Sequence, residues 1–362
     1  MKVLTVLGAR PQFVKSGPVS RAFERAGIVE VRVHTGQHYD DALSDVFFRE
    51  LGLGPCAHHL GVGSGPHGAQ TGRMMEALER VVLDEAPDHV LVYGDTNSTL
   101  AGALVAAKLR VPLAHVEAGL RSFNRAMPEE INRVLTDHAA DVLFAPTSTA
   151  RANLLREGIE PTRIAVVGDV MYDAALGYAP LADARRGLLD ALGVRAGAYV
   201  LATVHRAENT DRPARLAAIA GGLADAAREI DVVFPLHPRT RAALGVAGIV
   251  LDPAIRVTGP LGYLDMMALE RGARLVVTDS GGVQKEAYFH GVPCLTLRDE
   301  TEWTELVAAG WNRLCPPASA AHVARAIRAR LADTPPAPAP ALYGDGHAAE
   351  RIAARLLLPA DA

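Results

Sequence analysis

The sequence predicts an α/β protein built from two doubly wound parallel-sheet domains. Three observations carry that prediction: the length, the alternation of short apolar runs with amphipathic stretches, and the gathering of reactive residues at run ends. One hydrophobic core usually serves roughly 150–180 residues, so a chain of 362 residues calls for two. Hydrophobic residues make up 49% and charged residues 22%, which excludes bulk disorder. Lys and Arg number 37 against 41 Asp and Glu, a net charge of −4, so no face is obliged to be basic. That balance argues against a general binder of nucleic acid or anionic membrane.

The first series of apolar runs is Lys2–Leu7, Val31–Thr35, His89–Tyr93, Leu113–Val116, Asp141–Phe144 and Ile164–Val167. A second series follows at Tyr199–Val204, Val232–Leu236, Arg256–Thr258, Leu275–Thr278 and Cys294–Leu297. These runs are nearly continuous in Val, Leu and Ile, as strands covered on both faces are. Amphipathic segments such as Gly68–Asp84, Ser98–Leu109, Glu129–Ala140 and Arg215–Glu229 separate them and read as crossover helices. The Ala/Gly/Pro-rich stretch Gly177–Gly197 is the expected break, giving domains 1–176 and 177–340 and a final segment 341–362. Thr334–Ala341 (TPPAPAPA) reads as an extended linker, because its prolines cannot sit inside a helix. A last helix, His347–Leu357, follows, with Ile352, Leu356 and Leu357 as its apolar side.

Cys56, Cys294 and Cys315 neither pair evenly nor show metal-ligand spacing, which points to a reducing compartment. The opening run lacks the long apolar stretch and small-residue cleavage site of a signal peptide. No stretch of about 18 uncharged apolar residues is present to span a membrane. A soluble cytoplasmic protein is the expectation.

Open parallel sheets bind ligands beyond the carboxyl ends of their strands. Here those ends carry Gly8–Lys15, Gly94–Asn97, His115–Gly119, His205–Asn209, His237–Arg239 and Asp279–Gly282. Ser280, Gly281 and Gly282 stand at a strand-to-helix turn, where backbone N–H groups and the positive helix end can meet a phosphate. A plain tight turn is the alternative. Glu286, one helical turn further on, is placed to grip a ribose diol, and Arg10, Lys15 and His205 add positive charge for a diphosphate. A sugar nucleotide is the ligand class this combination favours.

Asp95 and Glu117 end successive strands joined by one crossover helix, so they should lie close together. Glu129 follows Pro128 in a first helical turn. The plainer alternatives are an Asx-turn for Asp95 and a dipole-favoured first-turn acid for Glu129. Three acids facing cationic groups describe a proton-transfer site beside an anionic leaving group. Gly63–Gly68 matches a bare GxGxxG string but contains Pro66 and follows no β-branched strand, so it reads as a loop. Cys56, His58 and His59 lack metal-site spacing, and Trp303 and Trp311 read as packing residues.

Seven motifs in order resemble the non-hydrolysing UDP-N-acetylglucosamine 2-epimerases. They are GARPQ (8–12), GDTNST (94–99), HVEAGLR (115–121), PEEINR (128–133), HRAEN (205–209), DSGGVQKE (279–286) and RDETE (298–302). The resemblance implies the GT-B architecture: two Rossmann-like domains, an interdomain cleft, and a final helix returning to the first domain. It implies catalytic acids on the N-terminal domain and UDP binding on the C-terminal one. It also implies a homodimer acting on a UDP-sugar, with no nicotinamide, other cofactor or metal. By the same resemblance Asp95, Glu117, Glu129 and His205 form the catalytic set. Arg10, Lys15, His237, Met266, Ser280, Gly281, Gly282, Glu286 and Arg298 would bind UDP. Gln37, His38, Gln70 and Arg73 would lie near an allosteric UDP-N-acetylglucosamine site. The implied reaction inverts C2 of UDP-N-acetylglucosamine to give UDP-N-acetylmannosamine. Gln12-Phe13, the Ala207-Glu208-Asn209 run and Glu302-Trp303-Thr304-Glu305 depart from the common pattern. These variants resemble a branch of UDP-2,3-diacetamido-2,3-dideoxyglucuronate 2-epimerases.

Overall fold

The computed structural model describes residues 1–37, 50–185, 187–334 and 342–358. The chain divides into two compact units, residues 1–177 with 341–362, and residues 178–340. The first unit is a seven-stranded sheet of β1 (Lys2–Leu7), β2 (Val29–His34), β3 (His58–His59), β4 (His89–Tyr93), β5 (Leu113–Val116), β6 (Val142–Ala145) and β7 (Ile164–Val166). Its order is β3-β2-β1-β4-β5-β6-β7, with every neighbouring pair parallel. Val90, Leu91, Val92 and Tyr93 of β4 are all fully buried, which is why this strand carries no polar alternation.

The second unit holds β8 (Tyr199–Thr203), β9 (Asp231–Pro235), β10 (Ile255–Thr258), β11 (Leu275–Thr278), β12 (Cys294–Thr296) and β13 (Asn312–Leu314). Their order is β10-β9-β8-β11-β12-β13, again all parallel. One face packs Val200, Val232, Val277 and Leu295 against Leu216, Ile219, Val323 and Ile327 of the helices Pro213–Ala226 and Ala320–Ala332. The other face packs Tyr199, Leu201, Val233 and Val276 against Leu269 and Ala287. Each sheet reverses its winding direction once, between β1 and β4 in the first and between β8 and β11 in the second. Those reversals open the crevices in which doubly wound sheets hold ligands.

The expected break opens inside a helix. The helix Val170–Asp183 runs through it with Pro180 inside, and the division falls between Gly177 and Tyr178. Of the linker Thr334–Ala341, residues 335–341 lie outside the described residues. The last helix, Ala348–Leu357, packs on the helix Arg10–Arg25 of the first unit. Ile352 and Leu356 are buried there, each such burial contributing about 1.5–3 kcal/mol. Leu357, expected on the same side, is instead exposed, because one residue past Leu356 turns it about 100° round the helix. Asp173 caps this helix by accepting from the Ala349 N–H at 2.7 Å, and Arg351 donates to the Val167 carbonyl at 3.0 Å. Among the described residues no helix is long and apolar enough to cross a membrane.

Candidate active site

The first site forms at the reversal between β1 and β4. Gly8 ends β1 under Ser98 and Thr35, whose hydroxyls occupy the space a Cβ would need. Gln12, in the first turn of the next helix, ties the two strand ends together. Its Oε1 accepts from the Gly8 and Ala9 N–H groups at 2.7 and 3.1 Å, and its Nε2 donates to the Tyr93 carbonyl at 2.8 Å. Arg10 opens the same helix and is half-buried.

Beyond β4, Gly94 at φ +64° turns the chain into Asp95, and Thr96 caps the helix Asn97–Leu109. Beyond β5, Glu117 sits at φ +71°, a left-handed conformation that costs a non-glycine residue about 1–2 kcal/mol. Strain of this kind persists only where the surrounding structure over-determines it. The buried Glu117 carboxylate is paired with the Lys15 ammonium, and a Cβ on Gly94 would lie 3.4 Å from both groups. Lys15, expected to face phosphate, thus meets Glu117 here.

Asp95 is paired with Arg133, and its backbone carbonyl accepts from Asn132 Nδ2 at 2.9 Å. Arg133 also holds Glu130 at 2.6 Å. Glu130 is buried and takes the Ser122 and Phe123 N–H groups, each at 3.0 Å, so it folds the loop before the helix Pro128–Ala139 back on itself. The bonds from Ser122 and Arg133 hold its carboxyl below the usual range despite burial. Glu129 stays half-buried in the first turn, with no side-chain hydrogen bond or ion pair among the described residues. Sequence reasoning missed Arg133 and the task of Glu130. Their spacing of three on a helix was the available signal.

The second site forms at the reversal between β8 and β11. Asp279 is fully buried, and its carboxylate accepts from the backbone N–H of His205 at 3.0 Å, that of Arg206 at 3.0 Å and Asn209 Nδ2 at 3.0 Å. That grip places the His205 ring 5.4 Å from the ring of His237. Burial pushes the His205 imidazole down; Asp279 opposes the shift, while His237, Arg206 and Arg239 add to it. Ser280 caps the helix Gly281–Phe289. Glu302 Oε1 lies 2.4 Å from the ideal Cβ position of Gly281, so a side chain there would have to move it. Gly282 leaves open space, with Glu286 Oε2 at 3.9 Å from its ideal Cβ. Arg298 is buried, hydrogen-bonded to Glu302 at 2.8 Å and ion-paired with Glu208 at 3.2 Å, so it meets this corner through two carboxylates. Met266 packs against the apolar cluster beneath. Trp303 is buried with the Lys285 ammonium 4.2 Å over its ring.

Of the four residues expected near an allosteric ligand, His38 lies outside the described residues. Gln37 accepts from the Ser98 N–H and hydroxyl at 3.0 and 2.7 Å, and Gln70 donates to the Gly63 carbonyl at 2.8 Å. Gln37 thus braces the segment after β2 against the helix Asn97–Leu109, and Gln70, accepting from Asn97 Nδ2 at 2.8 Å, ties that helix to the Gly63 loop. Arg73 is exposed beside Gly65. His58 of the Cys56–His59 group is bonded to Glu85 at 2.8 Å.

The family model for UDP-N-acetylglucosamine 2-epimerase matches residues 21–357. The chain belongs to that family. Among epimerases it is 50% identical to the UDP-2,3-diacetamido-2,3-dideoxy-D-glucuronate 2-epimerase of Pseudomonas aeruginosa, over 98% of both chains. It superposes on the UDP-N-acetylglucosamine 2-epimerase of Methanocaldococcus jannaschii, solved with UDP-N-acetylglucosamine and UDP, at a TM-score of 0.91 and 43% identity. That match covers 98% of this chain and 99% of the other. A TM-score of 0.57 at 15% identity to the glycosyltransferase SnogD of Streptomyces nogalater, over 99% of each chain, extends the likeness in fold alone, as a GT-B epimerase requires.

Proposed function

We propose that this epimerase inverts C2 of the sugar in UDP-N-acetylglucosamine, giving UDP-N-acetylmannosamine reversibly. The C2 hydrogen has no neighbouring carbonyl to acidify it, so direct deprotonation to a carbanion is hard. Elimination avoids that intermediate. A base takes the C2 proton, the C1–O bond breaks, and its electron pair leaves on the β-phosphate oxygen of UDP. 2-Acetamidoglucal remains, and re-addition of UDP with a proton delivered to the opposite face completes inversion. Glu117 and Asp95 serve proton transfer at C2, and Glu129 serves proton transfer or stabilises the developing cation. His205 assists departure of the diphosphate. Arg10, Lys15, His237, Met266, Ser280, Gly281, Gly282 and Glu286 bind UDP, with Arg298 holding Glu302 and Glu208 in place.

The observation that carries this reading is Glu117, strained at φ +71°, buried and paired with Lys15 at the reversal of the first sheet. The UDP-N-acetylglucosamine and UDP bound in the M. jannaschii relative support the substrate class. A second reading, the same inversion on UDP-2,3-diacetamido-2,3-dideoxyglucuronate, is favoured by the 50% identity to the P. aeruginosa protein. A homodimer and a cytoplasmic setting, which suits the buried free thiols of Cys56, Cys294 and Cys315, belong to the same proposal.

NMR of the purified protein in deuterium oxide tests it, with each UDP-sugar supplied separately. Deuterium entering C2 as the epimer forms is the expected result, and the larger kcat/KM names the substrate. Epimer without label at C2 would remove the solvent-exchanging base. Accumulation of free sugar in place of UDP-sugar would make the protein a hydrolysing epimerase.

A further inference from the structure

Behind the two acid-bearing turns lies a buried polar chain that the proposed reaction does not use. His115 and Asp137 are both fully buried. His115 Nδ1 lies 2.7 Å from Asp137 Oδ1, and its Nε2 lies 2.7 Å from the Gly94 carbonyl oxygen. Asp137 Oδ2 accepts from the Gly119 N–H at 3.1 Å and from Arg121 Nη1 at 2.7 Å. Arg121 closes the chain with two bonds to Glu157, at 2.8 and 2.6 Å. The His115 and Arg121 bonds hold the Asp137 carboxyl below its usual range despite full burial. Both ring nitrogens of His115 therefore face oxygens that can only accept.

The contacts fall at particular places. Gly94 immediately precedes Asp95, and its carbonyl is fixed by His115. Residues 115 and 119 bracket Glu117 and are joined through the one carboxylate of Asp137. The Glu117 turn is strained, and a strained turn persists only where its surroundings over-determine it. We infer that His115 and Asp137 are positioning residues, which lock the turns of Asp95 and Glu117 to each other so that both carboxylates keep one fixed separation. A pair that served only to fill the core would have no need to reach Gly94 and Gly119. Every hydrogen-bonding atom of the imidazole and both carboxylate oxygens are used. The inference rests on the reading of Asp95 and Glu117 as proton-transfer groups.

Two double-mutant cycles on the full chain test it. His115→Gln and Asp137→Asn are each made alone and combined with Glu117→Gln. For whichever UDP-sugar the wild-type protein turns over, kcat and KM are read separately, and residual turnover is read by overnight deuterium incorporation. Each single change lowers kcat about 10- to 100-fold with KM within about threefold, the scale of losing a supporting contact to a reacting group. In the Glu117→Gln background the same change adds almost nothing, because the group it positions is already disabled. Equal fold-losses in both backgrounds, or unaltered kcat in His115→Gln beside an inactive Glu117→Gln, overturn the positioning role and leave the acids' roles standing. Full activity of Glu117→Gln overturns the underlying reading instead. Nitrogen-15 NMR of histidine in the unmodified protein needs no variant to fold. Protons on both ring nitrogens of His115 are expected, and a bare ring nitrogen overturns the proposal.

Discussion

Replacing Glu130 with glutamine separates the tasks of two adjacent glutamates. Glu130 Oε2 accepts from the Ser122 N–H and hydroxyl, both at 3.0 Å, and from Arg133 at 2.6 Å, while Oε1 takes the Phe123 N–H at 3.0 Å. A glutamine keeps one acceptor oxygen but turns an NH₂ toward the other donors. One charge-assisted bond worth about 1.5–3 kcal/mol is lost, with two bonds to Ser122 worth about 0.5–1.5 kcal/mol each. Together they amount to about 2.5–6 kcal/mol, and breaking a buried ion pair from one side falls inside that range at about 3–5 kcal/mol. For a unit of this size that lowers the unfolding midpoint by about 6–20 °C. Glu129→Gln breaks no such bond, so its midpoint should stay within about 2 °C while turnover falls at least about 100-fold. Thermal unfolding by circular dichroism, run beside the epimerisation assay, reads both quantities. An unmoved midpoint in Glu130→Gln, or an equal drop in Glu129→Gln, would refute the division.

Asp95→Asn and Glu117→Gln should each lower turnover by at least about two orders of magnitude, and near-wild-type rates in both would remove the site assignment. Gln12→Leu strips the Gly8 and Ala9 N–H groups of their shared acceptor, a loss of about 2–6 kcal/mol for two buried donors. A urea midpoint equal to wild type would contradict it. His290 is buried, and burial pushes its imidazole from 6.5 down to about 3. Between those values the unfolded chain binds a proton that the folded chain refuses. Its contribution to stability is therefore intact above pH 6.5 and falls below it, by up to about 1.4 kcal/mol per pH unit. The neighbouring Glu270, its carboxyl raised by burial, acts with the opposite sign above its ordinary value of 4.5. The slope is therefore read as the difference between wild type and His290→Leu. Parallel stability curves for the two from pH 7 to 4 would sink this account.

The central strands were legible because burial on both faces leaves a run of Val, Leu and Ile that no other element needs; β1, β4, β5 and β11 fall where those runs lie. Of the four edge strands, β7 and β10 fall on such runs and two do not. β3 is only His58–His59 and β13 is Asn312–Leu314, both too short and too polar to show a pattern. Candidate residues were legible as strand-end groups where one strand end carried them, as with Asp95, Glu117, His205 and Asp279. Partners brought together by folding were hidden. Lys15 meets Glu117 across 102 residues, and His115 meets Asp137 across 22. Neither separation leaves a periodic trace. Nothing along the chain announces that Lys15, expected beside a diphosphate, also meets a carboxylate at the end of another strand.

The last helix belongs to the first unit, although the whole of the second unit is translated between them. A ribosome therefore completes β7 well before it has made Ile352 and Leu356, and the nascent chain carries the bare flank of Arg10–Arg25 for that entire interval. Greasy surface waiting for its cover is where chaperones engage and where newly made chains stick to each other. A premature stop between residues 334 and 348 would thus spare every proposed reacting group and still release a protein with an unfinished seam.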